Sequence, residues 1–349
     1  MLKERLEKIF ADPRPQTQEL EFLLGVEDPR QVNEMLDFAD AVRRRFAGEG
    51  ILLRGLVEFS NYCSNDCFYC GINSTNAGLQ RYRLSAQEIL CAVKEITGCG
   101  IKTVVLQSGE DSKLEPEWLA GLIRRIKAKF RIAVTLSVGE RTCGEYRLWR
   151  RAGADRYLLR VETTDAEIYA DAHAARKVES RLKCLDDLIE LGYQAGSGLL
   201  VGLKGQTLRS LARDMLFLKE KELAMVGIGP FIPHAGSAFS NEPAGDLQLT
   251  LKVLALTRIL TRDAHMPATT ALGSLGGEDH RKEGLEAGAN VLMPNFTPSR
   301  YRGLYEIYPG KACLNLSAQE YIAQIERSAV TQGRFVDYSI GHSLKARVS

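Results

Sequence analysis

Three cysteines within eight residues, Cys63, Cys67 and Cys70, constrain this chain more than any other feature. They follow the apolar run 51–59, which has strand composition, so we place them on a loop at the carboxyl end of a strand. Three thiolates can hold three irons of a cubane 4Fe–4S cluster and leave the fourth iron open, whereas a structural zinc site normally has four ligands. A zinc half-site or a redox pair is the alternative, but no distant C-x2-C partner accompanies the motif.

Composition narrows the class of protein without identifying a function. The 349 residues are 45% hydrophobic and 26% charged with a net charge of +2, values typical of a globular protein with no general affinity for nucleic acid or membranes. The charged start, 1–5, lacks the apolar core of a signal peptide, so we expect a cytoplasmic protein. In a reducing cytosol we expect the other cysteines to be free thiols, namely Cys91, Cys99, Cys143, Cys184 and Cys313.

The order of the hydrophobic patterns predicts an α/β protein with a parallel (β/α)8 TIM barrel. Residues 1–50 have only helical patterns, including an N-cap at Asp28 before Pro29, and form a predicted helical extension. From residue 51 to 313, short apolar runs alternate with amphipathic ones, which favours a barrel over a doubly wound sheet. The predicted strands are 52–59, 103–107, 132–137, 157–161, 194–201, 225–228, 268–271 and 290–293. The predicted helices are 86–96, 117–128, 181–191, 208–221 and 247–260, and the tail 314–349 carries one more at 318–327 before a polar end.

In such a barrel the chemistry gathers where strands end, so the residues after each strand are the candidates. Gln107, Ser108, Gly109 and Glu110 follow the second strand, where glycine gives access to the backbone and a carboxylate can accept from an ammonium group. An isolated stretch of this kind is more often a turn.

The fourth strand ends in two charged residues on the same side, Arg160 and Glu162. Such charges are costly at a buried strand end unless they are paired or used. Glu162 is a natural acceptor for ribose hydroxyls. For Arg160, an internal ion pair is as good an interpretation as substrate binding.

Further candidates follow the later strands. Arg181 can bind a carboxylate through two parallel hydrogen bonds, with a surface salt bridge as the alternative. Repeated glycines in 196–205 permit close approach of a ligand, and 229–234 offers apolar side chains for a purine and a loop histidine, His234. Thr135 and Thr270 can form an anion-binding interior with Arg160, although threonine is also common in strands for its β-propensity alone.

The cysteine motif, with an aromatic residue before its last cysteine, resembles the signature of radical S-adenosylmethionine (SAM) enzymes. Longer stretches resemble the HydE family of FeFe-hydrogenase maturases, in the group that includes biotin synthase and methylornithine synthase. The resemblance extends from about residue 30 to about 313 and is clearest in 81–83, 105–111, 154–160, 226–234 and 293–295.

The resemblance implies both cofactors and their contacts. One 4Fe–4S cluster bound by the three cysteines reduces SAM to a 5′-deoxyadenosyl radical, which attacks the sulfur of a cysteine-ligated iron carbonyl cyanide species. The implied SAM contacts are Tyr69, Gln107, Ser108, Gly109, Glu110, Glu162, Arg181, Phe231 and Ile232. The implied substrate contacts are Thr135, Arg160, Thr270, Met293 and Tyr305.

One difference from the family and two rival functions qualify this interpretation of the sequence. Some family members bind a second cluster through three cysteines near the C-terminus, but here Cys313 stands alone, so we expect one cluster. The rivals are another radical SAM reaction, such as methylornithine synthase acting on lysine, and a metal-binding interaction protein without turnover. We expect a monomer whose partners are a small-molecule or organometallic substrate, an electron donor of flavodoxin or ferredoxin type, and other hydrogenase maturases, with no nucleic acid or membrane.

Overall fold

The computed structural model describes residues 2–311 and 316–345. The chain begins with three helices, α1 (Leu2–Ala11), α2 (Thr17–Leu24) and α3 (Pro29–Ala47), as the sequence predicts for its first fifty residues. The Asp28 side chain accepts hydrogen bonds from the N–H groups of Arg30 and Gln31 at 3.1 and 3.0 Å, and Pro29 occupies the first helical position. The predicted start of α3 is therefore confirmed, and this helix packs along α10 (Leu247–Thr261).

Parallel strands then form a closed barrel. β2 to β7 pair in chain order, and β8 pairs with β1. The ring closes through residues that are not in regular strands: His265 and Ala268 pair with β7, Pro267 pairs with Val291, and Asn295 pairs with Leu56. The strands are β1 (Gly50–Leu53), β2 (Gly55–Ser60), β3 (Thr103–Ser108), β4 (Ala133–Ser137), β5 (Arg156–Leu158), β6 (Gln194–Val201), β7 (Met225–Pro230), β8 (Val291–Leu292) and β9 (Phe335–Asp337).

Three predicted strands differ from the structure. The predicted strand 157–161 is too long at its end, because β5 ends at Leu158. The predicted strand 52–59 is interrupted at Arg54, so that β1 and β2 are separate segments. The predicted strand 268–271 was wrong: this position of the ring is held by isolated bridges around Pro267. Proline has no N–H to donate to a neighbouring strand, which accounts for the irregular pairing there.

Helices cover the outside of the barrel, and every predicted helix in this region is confirmed within a few residues. The Ser85 side chain accepts from the Glu88 N–H at 3.3 Å while Glu88 accepts from the Ser85 N–H at 2.7 Å, so α4 begins with a capping box. Four short helices, α6, α7, α11 and α12, were not predicted. The helices are α4 (Ala86–Gly98), α5 (Pro116–Lys129), α6 (Cys143–Ala152), α7 (Ala166–Ala172), α8 (Val178–Glu190), α9 (Leu208–Glu220), α10 (Leu247–Thr261), α11 (Arg281–Glu286), α12 (Ser299–Arg302) and α13 (Ala318–Thr331).

The C-terminal tail completes the base of the barrel. After the predicted helix α13, β9 pairs in parallel with β1, Gly50 opposite Phe335 and Leu52 opposite Asp337. The sequence predicted only a polar end here. One buried hydrophobic core joins the N-terminal helices, the barrel and the tail, and the division of the chain at residues 50 and 313 stays a prediction. Within the described residues, no helix has the length and apolar character needed to cross a membrane.

Candidate active site

A cavity of about 300 Å³ lies inside the barrel and extends to the carboxyl ends of the strands. Its wall contains every residue that the sequence predicted for the site. They are Cys63, Cys67, Tyr69, Cys70, Gln107, Ser108, Gly109, Glu110, Thr135, Arg160, Glu162, Arg181, Phe231, Ile232, Thr270, Met293 and Tyr305. The structure therefore brings them together, while the role of each one stays a prediction.

The cysteine loop is fixed by backbone hydrogen bonds to three other segments. The Ser64 N–H donates to the carbonyl of Glu110, the Phe68 N–H to that of Ala172, and the Gly71 N–H to that of Ile307, each at 2.9 Å. A side chain adds to these backbone anchors, since the Asn73 Nδ2 donates to the Cys70 carbonyl at 2.6 Å. The thiols of Cys63, Cys67 and Cys70 are free.

Burial raises the pKa of all three cysteine thiols, and for Cys67 to about 12. For Cys67 and Cys70, the next largest cause is the repulsion from the neighbouring cysteines of the motif, so the three sulfurs lie close enough to interact. A bound cation reverses this balance because it stabilises thiolates. The site therefore suits a positively charged group that three sulfurs can share.

A single metal ion and a cluster need different arrangements of their ligands. Among residues 2–311 and 316–345, no three His, Cys, Asp or Glu side chains converge on a point where one metal ion could bind. Zinc would need its ligands at about 2.3 Å from one centre. In a cubane cluster each cysteine binds a different iron, so wider separation is expected.

Two glycines allow the loops around the cysteines to pack closely. A Cβ on Gly109 would lie 2.3 Å from the Tyr62 carbonyl oxygen and 2.8 Å from the Cys63 Cβ. Gly139 has φ of +79°, and a Cβ there would lie 1.8 Å from the Cγ of Glu110. The Glu110 side chain consequently lies across Gly139, and only glycine leaves room for it.

Arg181 is buried and faces two carboxylates. Its Nη1 lies 2.9 Å from Glu110 Oε1, and its Nε lies 3.3 Å from Glu140 without the alignment of a hydrogen bond. The interpretation of Arg181 as a surface salt bridge was therefore wrong. An arginine with an unused buried N–H at the cavity wall can bind a further anionic group.

Arg160 and Glu162 form an ion pair at the cavity wall. The Arg160 Nη2 lies 2.8 Å from Glu162 Oε2 and donates to the Leu199 carbonyl at 2.6 Å. Glu162 has a left-handed backbone with φ of 65°, held by hydrogen bonds to Gly198 and from Leu200. Burial raises the pKa of Glu162, while Arg160 and Arg181 oppose that rise. The internal ion pair of Arg160 is confirmed; Arg160 also lines the cavity, and its role in substrate binding stays a prediction.

The remaining predicted residues line the same space with hydroxyl and apolar groups. Gln107 Nε2 donates to the Tyr305 hydroxyl at 3.3 Å, and the hydroxyl groups of Thr270 and Tyr308 are hydrogen bonded. The buried Thr135 hydroxyl has no hydrogen-bond partner among the described residues, so it is available to a ligand. His234 does not line the cavity and accepts a hydrogen bond from the Gly236 N–H at 2.9 Å, as expected for a loop histidine.

Three residues near the cavity were missed by the sequence reasoning. Arg54 lines the floor and donates from Nη1 to the Met225 sulfur at 2.8 Å. Tyr308 lines the wall beside Thr270, and His173 contacts Tyr69. Arg54 interrupts an apolar run, which was a usable signal, whereas a single tyrosine and a single histidine carried none.

Comparisons of the sequence with known proteins find relatives among radical SAM proteins. The model of the radical SAM superfamily matches residues 57–218. The FeFe hydrogenase maturase subunit HydE of Thermotoga maritima is 47% identical over 316 residues, which is 89% of each chain. The 3-methylornithine synthase of Methanosarcina acetivorans is 28% identical over 288 residues, 82% of this chain and 81% of that protein.

Two solved structures share the fold. The crystal structure of methylornithine synthase, PylB, superposes with a TM-score of 0.83 at 23% identity, over 95% of this chain and 97% of that one. The crystal structure of HydG, a maturase of the FeFe hydrogenase, gives a TM-score of 0.82 at 21% identity, over 97% of this chain and 76% of that one. At these identities the similarity concerns the fold alone.

Proposed function

Since the chain belongs to the radical SAM superfamily and, within it, to the HydE family of FeFe-hydrogenase maturases, we propose that it acts on a cysteine-ligated iron carbonyl cyanide precursor of the diiron site. The observation that carries the proposal is the shared cavity. The residues that the resemblance implies for the cluster, SAM and the substrate all line it.

The family uses a 4Fe–4S cluster and SAM. We propose that Cys63, Cys67 and Cys70 alone hold one such cluster, which fits their free thiols and their mutual electrostatic interaction. Cys313, on which a second cluster would depend, lies outside the described residues. When bound, the cluster and SAM supply a 5′-deoxyadenosyl radical through one-electron cleavage of the sulfonium.

The residues at the cavity wall can bind the rest of SAM through complementary charge. Glu110, across Gly139, and the backbone at Gly109 can accept from the methionyl amine, and the unused N–H of Arg181 can donate to the methionyl carboxylate. Glu162 can accept from ribose hydroxyls. Tyr69, Gln107, Ser108, Phe231 and Ile232 would complete the site around the methionyl and adenine groups.

The substrate would lie deeper, against Arg160 and the hydroxyl groups. Arg160 already neutralises Glu162, and its remaining donors can bind the carboxylate of a cysteine. The unpaired Thr135 hydroxyl offers one more donor. Thr270, Met293 and Tyr305 would enclose the metal ligands in a wall that excludes water and protects a radical from side reactions.

We further propose that the protein works as a monomer in a reducing cytosol, where its thiols stay reduced. Its one-electron donor would be a flavodoxin or a ferredoxin, and its product would pass to other hydrogenase maturases.

Anaerobic turnover tests the cofactor part of the proposal. The reconstituted protein, reduced with dithionite in the presence of SAM, should release 5′-deoxyadenosine, and Cys67→Ala should abolish that product. The matched control is Cys91→Ala, because Cys91 is exposed on α4 and does not line the cavity. Undiminished SAM cleavage by the Cys67 variant would overturn the assignment.

Iron content and biological activity test the finer points. One cubane cluster requires about four irons per chain, and about eight would contradict the single cluster. Co-expression with a diiron hydrogenase and its other maturases should activate the hydrogenase. Formation of methylornithine from lysine, without hydrogenase activation, would instead identify the rival radical SAM activity.

A further inference from the structure

The segment after β5 follows an irregular path that places a carboxylate at the cavity wall. β5 ends at Leu158, and Glu162 lines the cavity with φ of 65°. This left-handed conformation is sparsely populated for a residue with a side chain, so it persists only where the surrounding structure holds it. One support is β6, because the Glu162 N–H donates to the Gly198 carbonyl at 2.9 Å and the Glu162 carbonyl accepts from the Leu200 N–H at 3.1 Å.

A buried carboxylate on α9 holds the same segment two residues later. Asp214 is fully buried, and its Oδ1 accepts from both the N–H and the hydroxyl of Thr164, at 2.6 and 2.5 Å. Its other oxygen, Oδ2, has no hydrogen-bond partner among the described residues. A carboxylate is costly to bury, and its hydrogen bonds with an N–H or a hydroxyl are strong, so these two contacts fix Thr164 firmly.

The short segment 162–164 is therefore held at both ends, by β6 at Glu162 and by α9 at Thr164. The next residue, Asp165, caps α7 and accepts from the N–H groups of Glu167 and Ile168, both at 3.2 Å. With its backbone fixed, Glu162 places Oε2 at 2.8 Å from the Arg160 Nη2 and at 3.1 Å from its Nε. Both contacts are with Oε2, so Arg160 does not occupy Oε1.

We propose that Asp214 is a positioning residue, which holds Thr164 and thereby keeps Glu162 in the conformation that directs its carboxylate into the cavity. The inference rests on the proposed function, in which Glu162 accepts from the ribose hydroxyls of SAM. Asp214 does not line the cavity, so it can act only through the segment that it holds. Without this support, the backbone of Glu162 can relax towards a more favourable conformation, and its carboxylate moves away from the ribose.

Equilibrium binding of SAM to the reconstituted, unreduced protein tests the inference without turnover. Asp214→Ala removes both hydrogen bonds to Thr164 and should weaken SAM binding about tenfold. Asp214→Asn keeps an acceptor and should bind SAM within about twofold of wild type. Arg213→Ala, at an exposed neighbouring position on α9, is the control and should leave SAM binding unchanged. Circular dichroism and iron content show that each variant is folded and loaded.

A double-mutant cycle with Glu162 separates positioning from a general effect on the fold. Glu162→Ala removes the proposed acceptor and should by itself weaken SAM binding about tenfold or more. In that background Asp214→Ala should have almost no further effect, because no carboxylate is left to position. If Asp214→Ala does not fold, Thr164→Val replaces it; this variant loses only the hydroxyl contact and should weaken SAM binding about threefold.

The cycle distinguishes a failure of the inference from a failure of the proposed function. If Glu162→Ala binds SAM weakly but folded, loaded Asp214→Ala binds it as tightly as wild type does, Asp214 is not a positioning residue. Equal losses from Asp214→Ala with and without the Glu162 carboxylate would also refute the inference, since Asp214 would then act on the fold as a whole. Wild-type affinity in Glu162→Ala would refute the proposed role of Glu162, and this inference with it.

Discussion

Arginine side chains lie at both ends of the barrel, but the groups that accept their hydrogen bonds differ. At the mouth, where the strands end, Arg160 pairs with Glu162 and Arg181 pairs with Glu110. At the base, where the strands begin, Arg156 donates to the neutral oxygens of Gln194, Thr103 and the tail residues Ile340 and Gly341, at 2.9 to 3.1 Å.

This difference indicates that the mouth is suited to binding a ligand, whereas the base is closed by contacts that stabilise the fold. We call these contacts of Arg156 with the tail the seal. An ion pair at a cavity wall can exchange a partner for a ligand of the same charge. At the base, Arg156 is bonded to neutral carbonyls of the chain's own tail. No anion lies there for a ligand to replace, so these contacts close the base of the barrel. This agrees with the general rule that chemistry gathers at the carboxyl ends of barrel strands and stability at the other end.

The largest effect should follow from breaking the pair at the mouth. Arg181→Gln removes a buried cation and leaves the half-buried Glu110 without its partner, which should cost about 3–5 kcal/mol of unfolding free energy. It also removes the donor that we propose for the SAM carboxylate, so the affinity for SAM should fall about 10- to 100-fold. Denaturant unfolding and equilibrium binding of SAM measure the two effects separately.

The double variant Arg181→Gln/Glu110→Gln distinguishes the effect on stability from the effect on SAM binding. Neutralising both partners should recover much of the stability, because no charge is left unpaired, while SAM binding stays weak. If the double variant bound SAM as tightly as wild type does, Arg181 would not bind SAM. Its role would then be structural, like that of Arg156 at the base.

The second effect should come from the base. Arg156→Met removes the donors that hold the tail, which should cost about 3 kcal/mol and expose the tail to protease. SAM cleavage per folded molecule should not change. Arg124→Met, an exposed position on α5, is the control and should alter stability little. A selective loss of cleavage in Arg156→Met would mean that the base takes part in the chemistry.

The sequence predicted the mouth well because its residues follow strands and carry charge where charge is costly. It failed at the base for a physical reason. Phe335–Asp337 is too short to show a period, and its partner Gly50–Leu53 lies far away in the chain. The left-handed backbone of Glu162 and the contact between His173 and Tyr69 likewise depend on neighbours that only folding brings together.

A smaller effect on stability should follow from adding a methyl group to the tail at the base while keeping the hydrogen bonds of Arg156. Gly341 has φ of +59°, and a Cβ there would lie 2.7 Å from the Leu52 side chain. Gly341→Ala should cost about 1–2 kcal/mol, mostly from the left-handed backbone. Gly121→Ala is the matched control on α5, because a Cβ there meets nothing within 4 Å, and it should stabilise the helix slightly. The midpoints of thermal unfolding of the two variants would show whether the tail can move to accommodate the added methyl group. Equal midpoints would mean that the base is not tightly packed.

The smallest effect should come from Asp214, a buried carboxylate near the mouth that accepts from Thr164 rather than from an arginine. Burial raises its pKa from 3.8 to about 6, so the folded state binds the proton more tightly than the unfolded state does. Stability should therefore fall as pH rises from about 4 to about 6, by at most roughly 3 kcal/mol.

Asp214→Asn keeps an oxygen for Thr164 and cannot ionise, so it should be more stable than wild type at pH 7.5. We expect a gain of about 1 kcal/mol, well below the upper limit, because the new amide N–H groups also lack partners. At pH 4 the gain should vanish, since the wild-type carboxyl is then protonated in the folded state. Denaturant midpoints at the two pH values measure this, with exposed Asp171→Asn as the control. A variant less stable at pH 7.5 would mean that the negative charge of Asp214 is needed at the mouth, as it is in the pairs with arginine.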